Sequence, residues 1–101
     1  ITEQYGAAIR FSAVLTDAVV NTGVPVDDSQ CGGCTDCVDI CPGKAIKGTL
    51  WKKGINREEL LIYDRCNETI KKRGKYINRR HGTCGLCIAA CPWTKQYLAR
   101  D

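Results

Sequence analysis

Eight cysteines occur in 101 residues, and seven of them fall in two copies of one spacing. Residues 31–42 read Cys-Gly-Gly-Cys-Thr-Asp-Cys-Val-Asp-Ile-Cys-Pro, and residues 81–92 read His-Gly-Thr-Cys-Gly-Leu-Cys-Ile-Ala-Ala-Cys-Pro. Laid over one another, Cys34, Cys37 and Cys41 meet Cys84, Cys87 and Cys91, while Cys31 meets His81. Two of the chain's three prolines close the two copies. The pattern is a pseudo-twofold repeat of a metal-binding half with one position altered. Cys66 is left over between the copies.

Three chemistries use cysteine this heavily: disulfides, zinc and iron–sulfur clusters. Four cysteines within eleven residues are poor disulfide partners for one another, because the bond demands particular Cα separations. Zinc usually takes two separated C-x2-C pairs and one tetrahedron of ligands. Here each copy carries a further evenly spaced cysteine and a Cys-Pro ending. Cys31, Cys34, Cys37 and Cys41 form C-x2-C-x2-C-x3-C-P, the run of two-cluster bacterial ferredoxins. Its first three cysteines hold one [4Fe–4S] cluster, and the fourth reaches the other. A looping backbone with a cysteine every third residue can serve three corners of a cubane, and the fourth corner must be met from elsewhere.

That crossing rule assigns Cys31, Cys34, Cys37 and Cys91 to cluster 1. Cys41, Cys84 and Cys87 then hold three corners of cluster 2. Its fourth ligand is either His81, at the symmetric position, or Cys66. Thiolate is the softer and more usual ligand, and eight cysteines match eight iron corners, so Cys66 is favoured. His81 then reads as a solvated residue or one beside the cluster.

Phe11, Trp51, Trp93 and four tyrosines are the whole aromatic complement. So slight a core needs a metal or a cross-link to hold it. The formal charge of +4 treats the cysteines as neutral. Eight thiolates against two oxidised cores, roughly four positive charges together, bring the loaded chain near neutrality. The basic stretch Lys71, Lys72, Arg73, Lys75, Arg79 and Arg80 could dock nucleic acid or an acidic electron donor. The charge balance favours a solvated face, so nucleic acid is not the favoured partner. No apolar run approaches the ~18–20 residues of a membrane span. No Ser/His/Asp constellation and no phosphate loop is readable.

Residues 8–16 alternate Ile9, Phe11, Ala13 and Leu15 with Arg10, Ser12, Val14 and Thr16, which predicts a strand. Residues 21–30 read as a turn-rich linker. Gly43 to Lys47 reads as a short turn or helix, and Thr49 to Ile55 as a hairpin or extended excursion that Trp51 packs. Asn56 is positioned to cap a short helix, with Glu58 and Glu59 in its first turn. A helix from about Arg65 to Arg73 is expected to stop at Gly74. Pro92 opens a last helix through Leu98. Trp93 either shields a cluster from water or is plain core. Tyr63, Tyr76 and Tyr97 read as helix-face packing.

With Cys66 included, the pattern resembles the iron–sulfur module of the epoxyqueuosine reductase and reductive dehalogenase superfamily, the cobalamin-dependent reductases. The residues that carry the resemblance are Cys31 to Pro42, Asp64-Arg65-Cys66, and Cys87-Ile-Ala-Ala-Cys-Pro-Trp93. Thr69 to Gly74 and Asn78 to Gly82 resemble the segment before the second run, and Gly6 to Asp17 resembles the last strand of the cobalamin-binding domain. The resemblance implies two clusters that relay electrons from an external donor to cobalamin, whose reduced cobalt attacks an epoxide-bearing tRNA nucleoside or an organohalide.

The expected fold is small α+β, a two-cluster bacterial-ferredoxin-like domain with an N-terminal strand left from an upstream domain. Residues 1–26 are read as the remnant strand and linker of an upstream cobalamin-type domain, and residues 27–101 as the two-cluster domain. A chain that begins at Ile1 and lacks methionine fits a piece of something longer. The expected function is electron transfer, with two [4Fe–4S] clusters as cofactors and cobalamin only in a longer parent. The partners are the upstream domain and an external donor, in a reducing cytoplasm. Two alternatives stand beside it: part of an active reductase of that superfamily, and a structural zinc module that binds a partner.

Overall fold

The computed structural model describes residues 1–76 and 83–100. Among the described residues there are five helices: α1 (Asp36–Asp39), α2 (Arg57–Leu60), α3 (Tyr63–Tyr76), α4 (Leu86–Ala90) and α5 (Pro92–Leu98). Among the described residues, β structure is confined to three isolated antiparallel bridges, Thr2 with Gly6, Asp28 with Lys52, and Ile46 with Leu61. The expected α+β character is therefore mostly helix and loop.

The two repeats fold alike at first. In each, a helix begins two residues after the second aligned position, α1 after Cys34 and α4 after Cys84, and α1 packs against α4. They diverge after the Cys-Pro step. Pro92 sits in the first turn of α5, where its missing N–H costs nothing. Pro42 leads only into a turn, closed by the Lys44 amide donating to the Cys41 carbonyl at 3.0 Å. Lys44 adopts φ 46°, a left-handed value that stops a helix there.

The segment after this turn joins the entry of α3. The Lys47 amide donates to Leu60 at 3.0 Å, and the Ile62 amide to Ala45 at 2.8 Å. Ala45 lies between them with no exposed surface. The Asn56 amide donates to Glu59 Oε1 at 3.1 Å, so the expected cap of α2 forms with the glutamate reaching back. Tyr63 starts α3 two residues before its expected beginning, under the Arg57 guanidinium 4.9 Å from its ring centroid. The helix also runs through Gly74, which is buried in its last turn instead of ending it. A glycine inside a helix costs only about 1 kcal/mol, so packing overrides the stop signal.

The excursion at 49–55 makes one turn of its own, the Ile55 amide donating to the Lys52 carbonyl at 3.2 Å, and otherwise pairs with the linker. The Ser29 amide donates to Trp51 at 3.1 Å, and the Lys53 amide to Asp27 at 3.2 Å. The predicted strand over 8–16 is irregular. Phe11, Val14 and Leu15 are exposed, Leu15 at 99%. Residues 9–16 make no backbone–backbone hydrogen bond among the described residues. Alternation marks a face to be covered, but a strand also needs a partner for its ladder.

Residues 2–8 do fold, as a hook against α5. Thr2 and Gly6 exchange backbone hydrogen bonds at 2.8 and 3.0 Å, and the Tyr5 and Tyr97 rings meet edge-on at 5.2 Å. Among the described residues the core is slight: Ala45 and Cys91 are its buried apolar side chains, and Thr94 is buried as well. His81, Asn78 to Gly82, and Arg79 and Arg80 of the basic stretch lie outside the described residues.

Candidate metal centre

All eight cysteines are free thiols, so disulfides do not hold this fold. The first repeat presents Cys31 and Cys34 from its loop and Cys37 from α1. The Cys34 amide donates to the Cys31 carbonyl at 3.0 Å, and the Cys31 amide to Ser29 Oγ at 3.2 Å. These bonds bend the loop around a cavity of about 340 Å³. That is roughly ten times the ~30 Å³ share of one liquid water. Cys31, Cys34, Cys37 and Cys91 all line it, and Ile88, Pro92 and Trp93 give it apolar walls. Cys91 comes from the far end of the second repeat, across the α1–α4 contact.

Cys87 lines the same cavity. Burial raises its thiol above the ordinary value, and the neighbouring Cys84 and Cys41 push the same way, against the opposing effect of the Ile88 amide. Cys87 thus stands between the first set and two members of the second. Burial likewise raises the Cys37 thiol, helped by Cys31, Cys34 and Cys87. The Ala45 amide donates to Cys41 Sγ at 3.4 Å. Such a bond fixes where the sulfur sits. Cys66 stands half-buried on the first turn of α3, apart from the cavity of Cys31 and Cys91.

Among the described residues, no three His, Cys, Asp or Glu side chains converge on one ion position. A tetrahedral zinc holds every sulfur at ~2.3 Å from a single point. Cys31, Cys34, Cys37 and Cys91 line one cavity together, with Cys87 also in its wall.

Trp93 walls this cavity, so it sits where it can exclude water from the cysteines. Trp51 borders a second hollow of about 220 Å³ on the same loop, together with Cys31, Cys34 and Cys37. The excursion therefore faces the cysteine loop across this hollow, a placement of Trp51 that its position 14 residues beyond Cys37 did not reveal. The Ala45 amide and the wall residue Ile88 also escaped the sequence reading, since neither residue type signals a site.

Residues 30–94 match the family described as the 4Fe-4S double cluster binding domain. Among curated proteins, the epoxyqueuosine reductase of Bacillus cereus is 35% identical across 94% of this chain and 24% of its own length. That of Atelocyanobacterium thalassa is 30% identical across 96% of this chain and 32% of its length. The tetrachloroethene reductive dehalogenase of Sulfurospirillum multivorans is 28% identical across 94% of this chain and 20% of its length. The chain thus spans a third or less of these relatives. No solved structure matches it significantly. No helix among the described residues is long and apolar enough to cross a membrane. The chain belongs to the 4Fe-4S double cluster binding domain family, as the iron–sulfur, electron-transfer module of the epoxyqueuosine reductase and reductive dehalogenase superfamily.

Proposed function

We propose that this chain is the electron-supply module of a cobalamin-dependent, reductase-like protein. Cys31, Cys34, Cys37 and Cys91 hold one [4Fe–4S] cluster, and Cys41, Cys66, Cys84 and Cys87 hold the other. The observation that carries the reading is the cavity that Cys91 of the second repeat shares with Cys31, Cys34 and Cys37 of the first, and which Cys87 also lines. Four thiols around an apolar hollow suit a cubane's thiolate corners.

The bound clusters supply one-electron transfer. The chain's own residues do the rest. Each thiol gives up its proton to serve as a ligand. The Ala45 amide orients Cys41 Sγ. Ile88, Pro92 and Trp93 give the first set an apolar wall on one side, which bears on its potential. Residues 1–26 belong with an upstream cobalamin-type domain, and the exposed Phe11, Val14 and Leu15 are apolar surface such a domain would cover. The free thiols suit a reducing cytoplasm.

A second reading makes the longer protein an active epoxyqueuosine reductase or reductive dehalogenase, the activities that its relatives' names carry. Anaerobic reconstitution tests the first reading: about eight irons and eight sulfides per chain, with the paramagnetic signals of reduced cubanes, are expected. Zinc without acid-labile sulfide would overturn it. Reduced chain added to the separately produced cobalamin-type domain should reduce bound cobalamin, and absorption at unchanged oxidised cobalamin would count against the cobalamin partner.

A further inference from the structure

A groove of about 330 Å³ runs between the turn after Cys41 and one face of α3. Pro42, Gly43, Arg65, Glu68, Lys72 and Arg73 line it. The α3 residues recur at three- and four-residue intervals, so they form one helix face. It carries three cations and one carboxylate, and all four side chains are exposed.

The groove is firmly built. Gly43 closes on α3 so tightly that an added Cβ would collide with the Thr69 side chain and lie 2.9 Å from the Arg65 carbonyl oxygen. Thr69 Oγ1 donates to that same oxygen at 2.8 Å. Arg65 Nη1 donates to the Lys44 carbonyl at 3.4 Å, linking the two walls. The position matters as much as the charge. Pro42 follows Cys41 and Arg65 precedes Cys66 in the chain. Anything seated here lies beside the backbone of two cysteines assigned to the second cluster.

We propose that this groove docks an acidic one-electron carrier protein, whose carboxylates meet Arg65, Lys72 and Arg73 beside Cys41 and Cys66. The inference rests on the assignment of those cysteines to a cluster. With the loaded chain near neutral overall, attraction is local to this face, which orients the partner as well as drawing it in. Glu68 among the cations disfavours a continuous phosphate backbone, and among the described residues no aromatic ring lines the groove for a base to stack upon. Each docking event moves one electron: the carrier is oxidised by one and a cluster is reduced by one, with no bond made or broken.

The test uses the reconstituted chain and its Lys72→Glu/Arg73→Glu variant, with Lys52→Glu/Lys53→Glu as a charge-matched control. Iron and sulfide are measured first, so loss of the cluster reading is seen before any mixing. Reduction by a reduced, acidic flavodoxin is then followed by stopped flow at several salt concentrations. The groove variant should react about tenfold more slowly or worse at low salt and lose most of its salt dependence. The control should stay within about twofold of the parent. Reduced methyl viologen, which needs no docking surface, should reduce all three proteins at similar rates. Equal flavodoxin rates in groove variant and parent, or an equal loss in the control, would overturn the assignment. So would retained flavodoxin rates combined with loss of binding to a labelled RNA oligomer, which would give the groove to nucleic acid.

Discussion

The Ala7 amide donates a 3.0 Å hydrogen bond to Thr94 Oγ1, joining residues 87 apart in sequence beside buried Cys91. Gly6 makes this approach. Its φ is +60°, and an added Cβ would overlap the Thr94 amide and lie 2.6 Å from the Trp93 carbonyl carbon. Thr94→Val removes the acceptor and leaves a part-buried N–H unpaired, a cost of about 1–3 kcal/mol. Thr94→Ser keeps the oxygen and should recover most of it. Gly6→Ala should cost more than Thr94→Ser, with about 1–2 kcal/mol from the left-handed backbone alone. Thermal melts of the reconstituted protein rank the three. Equal melting of Thr94→Val and the parent would show that the hook adds nothing.

The features legible in sequence were those set by near neighbours. Pro92 starts α5 because its ring fits a first turn, and Asn56 with Glu59 starts α2 through a three-residue reciprocal contact. The features that were not legible depend on what meets what across the chain. Gly74 looks like a stop signal until packing buries it within α3. Residues 8–16 have strand periodicity, yet no ladder forms along them. The site divides in the same way. The repeat makes the cysteine spacing plain, and the crossing of Cys91 follows from it. The Gly43–Thr69 closure and the bond from Ala45 to Cys41 Sγ are tertiary accidents of a turn, and no residue type announces them.

Cys66 and His81 compete for one corner of the second cluster, and single substitutions separate them. Cys66→Ala should lower iron from about eight to about four per chain, with sulfide falling in parallel. His81→Ala should keep both near eight. Cys66 is half-buried on the first turn of α3 and is not one of the buried core residues, so its substitution acts through the lost ligand and not through a cavity in the core. Full loading of Cys66→Ala together with half loading of His81→Ala would hand the corner to the imidazole.

Removing the clusters should unfold residues 31–93. The buried apolar core is little more than Ala45 and Cys91, too small to offset the chain entropy of ordering these loops. Ligand binding then supplies much of the folding free energy. Chelation under anaerobic conditions should abolish most of the helical circular dichroism and the cooperative melt. A metal-free chain with an unchanged spectrum and melting temperature would contradict this account.

Whatever order the metal-free chain retains should weaken in alkali. Burial, reinforced by neighbouring cysteines, holds the Cys37 and Cys87 thiols above their ordinary value in the folded arrangement. A folded-state pKa above the unfolded one leaves stability intact below the unfolded value, about 8.5. As pH rises past it, the unfolded chain ionises first, and stability is lost progressively through the folded values. Residual helical signal should therefore decline as pH rises past the unfolded value, about 8.5, in the metal-free chain. The sign reverses on loading, because bound thiols are already thiolates, so the reconstituted protein should show no such decline from these two groups. Cys37→Ser/Cys87→Ser in the metal-free state should flatten the alkaline loss. If that variant keeps the full decline of the parent, the pH sensitivity originates elsewhere in the chain.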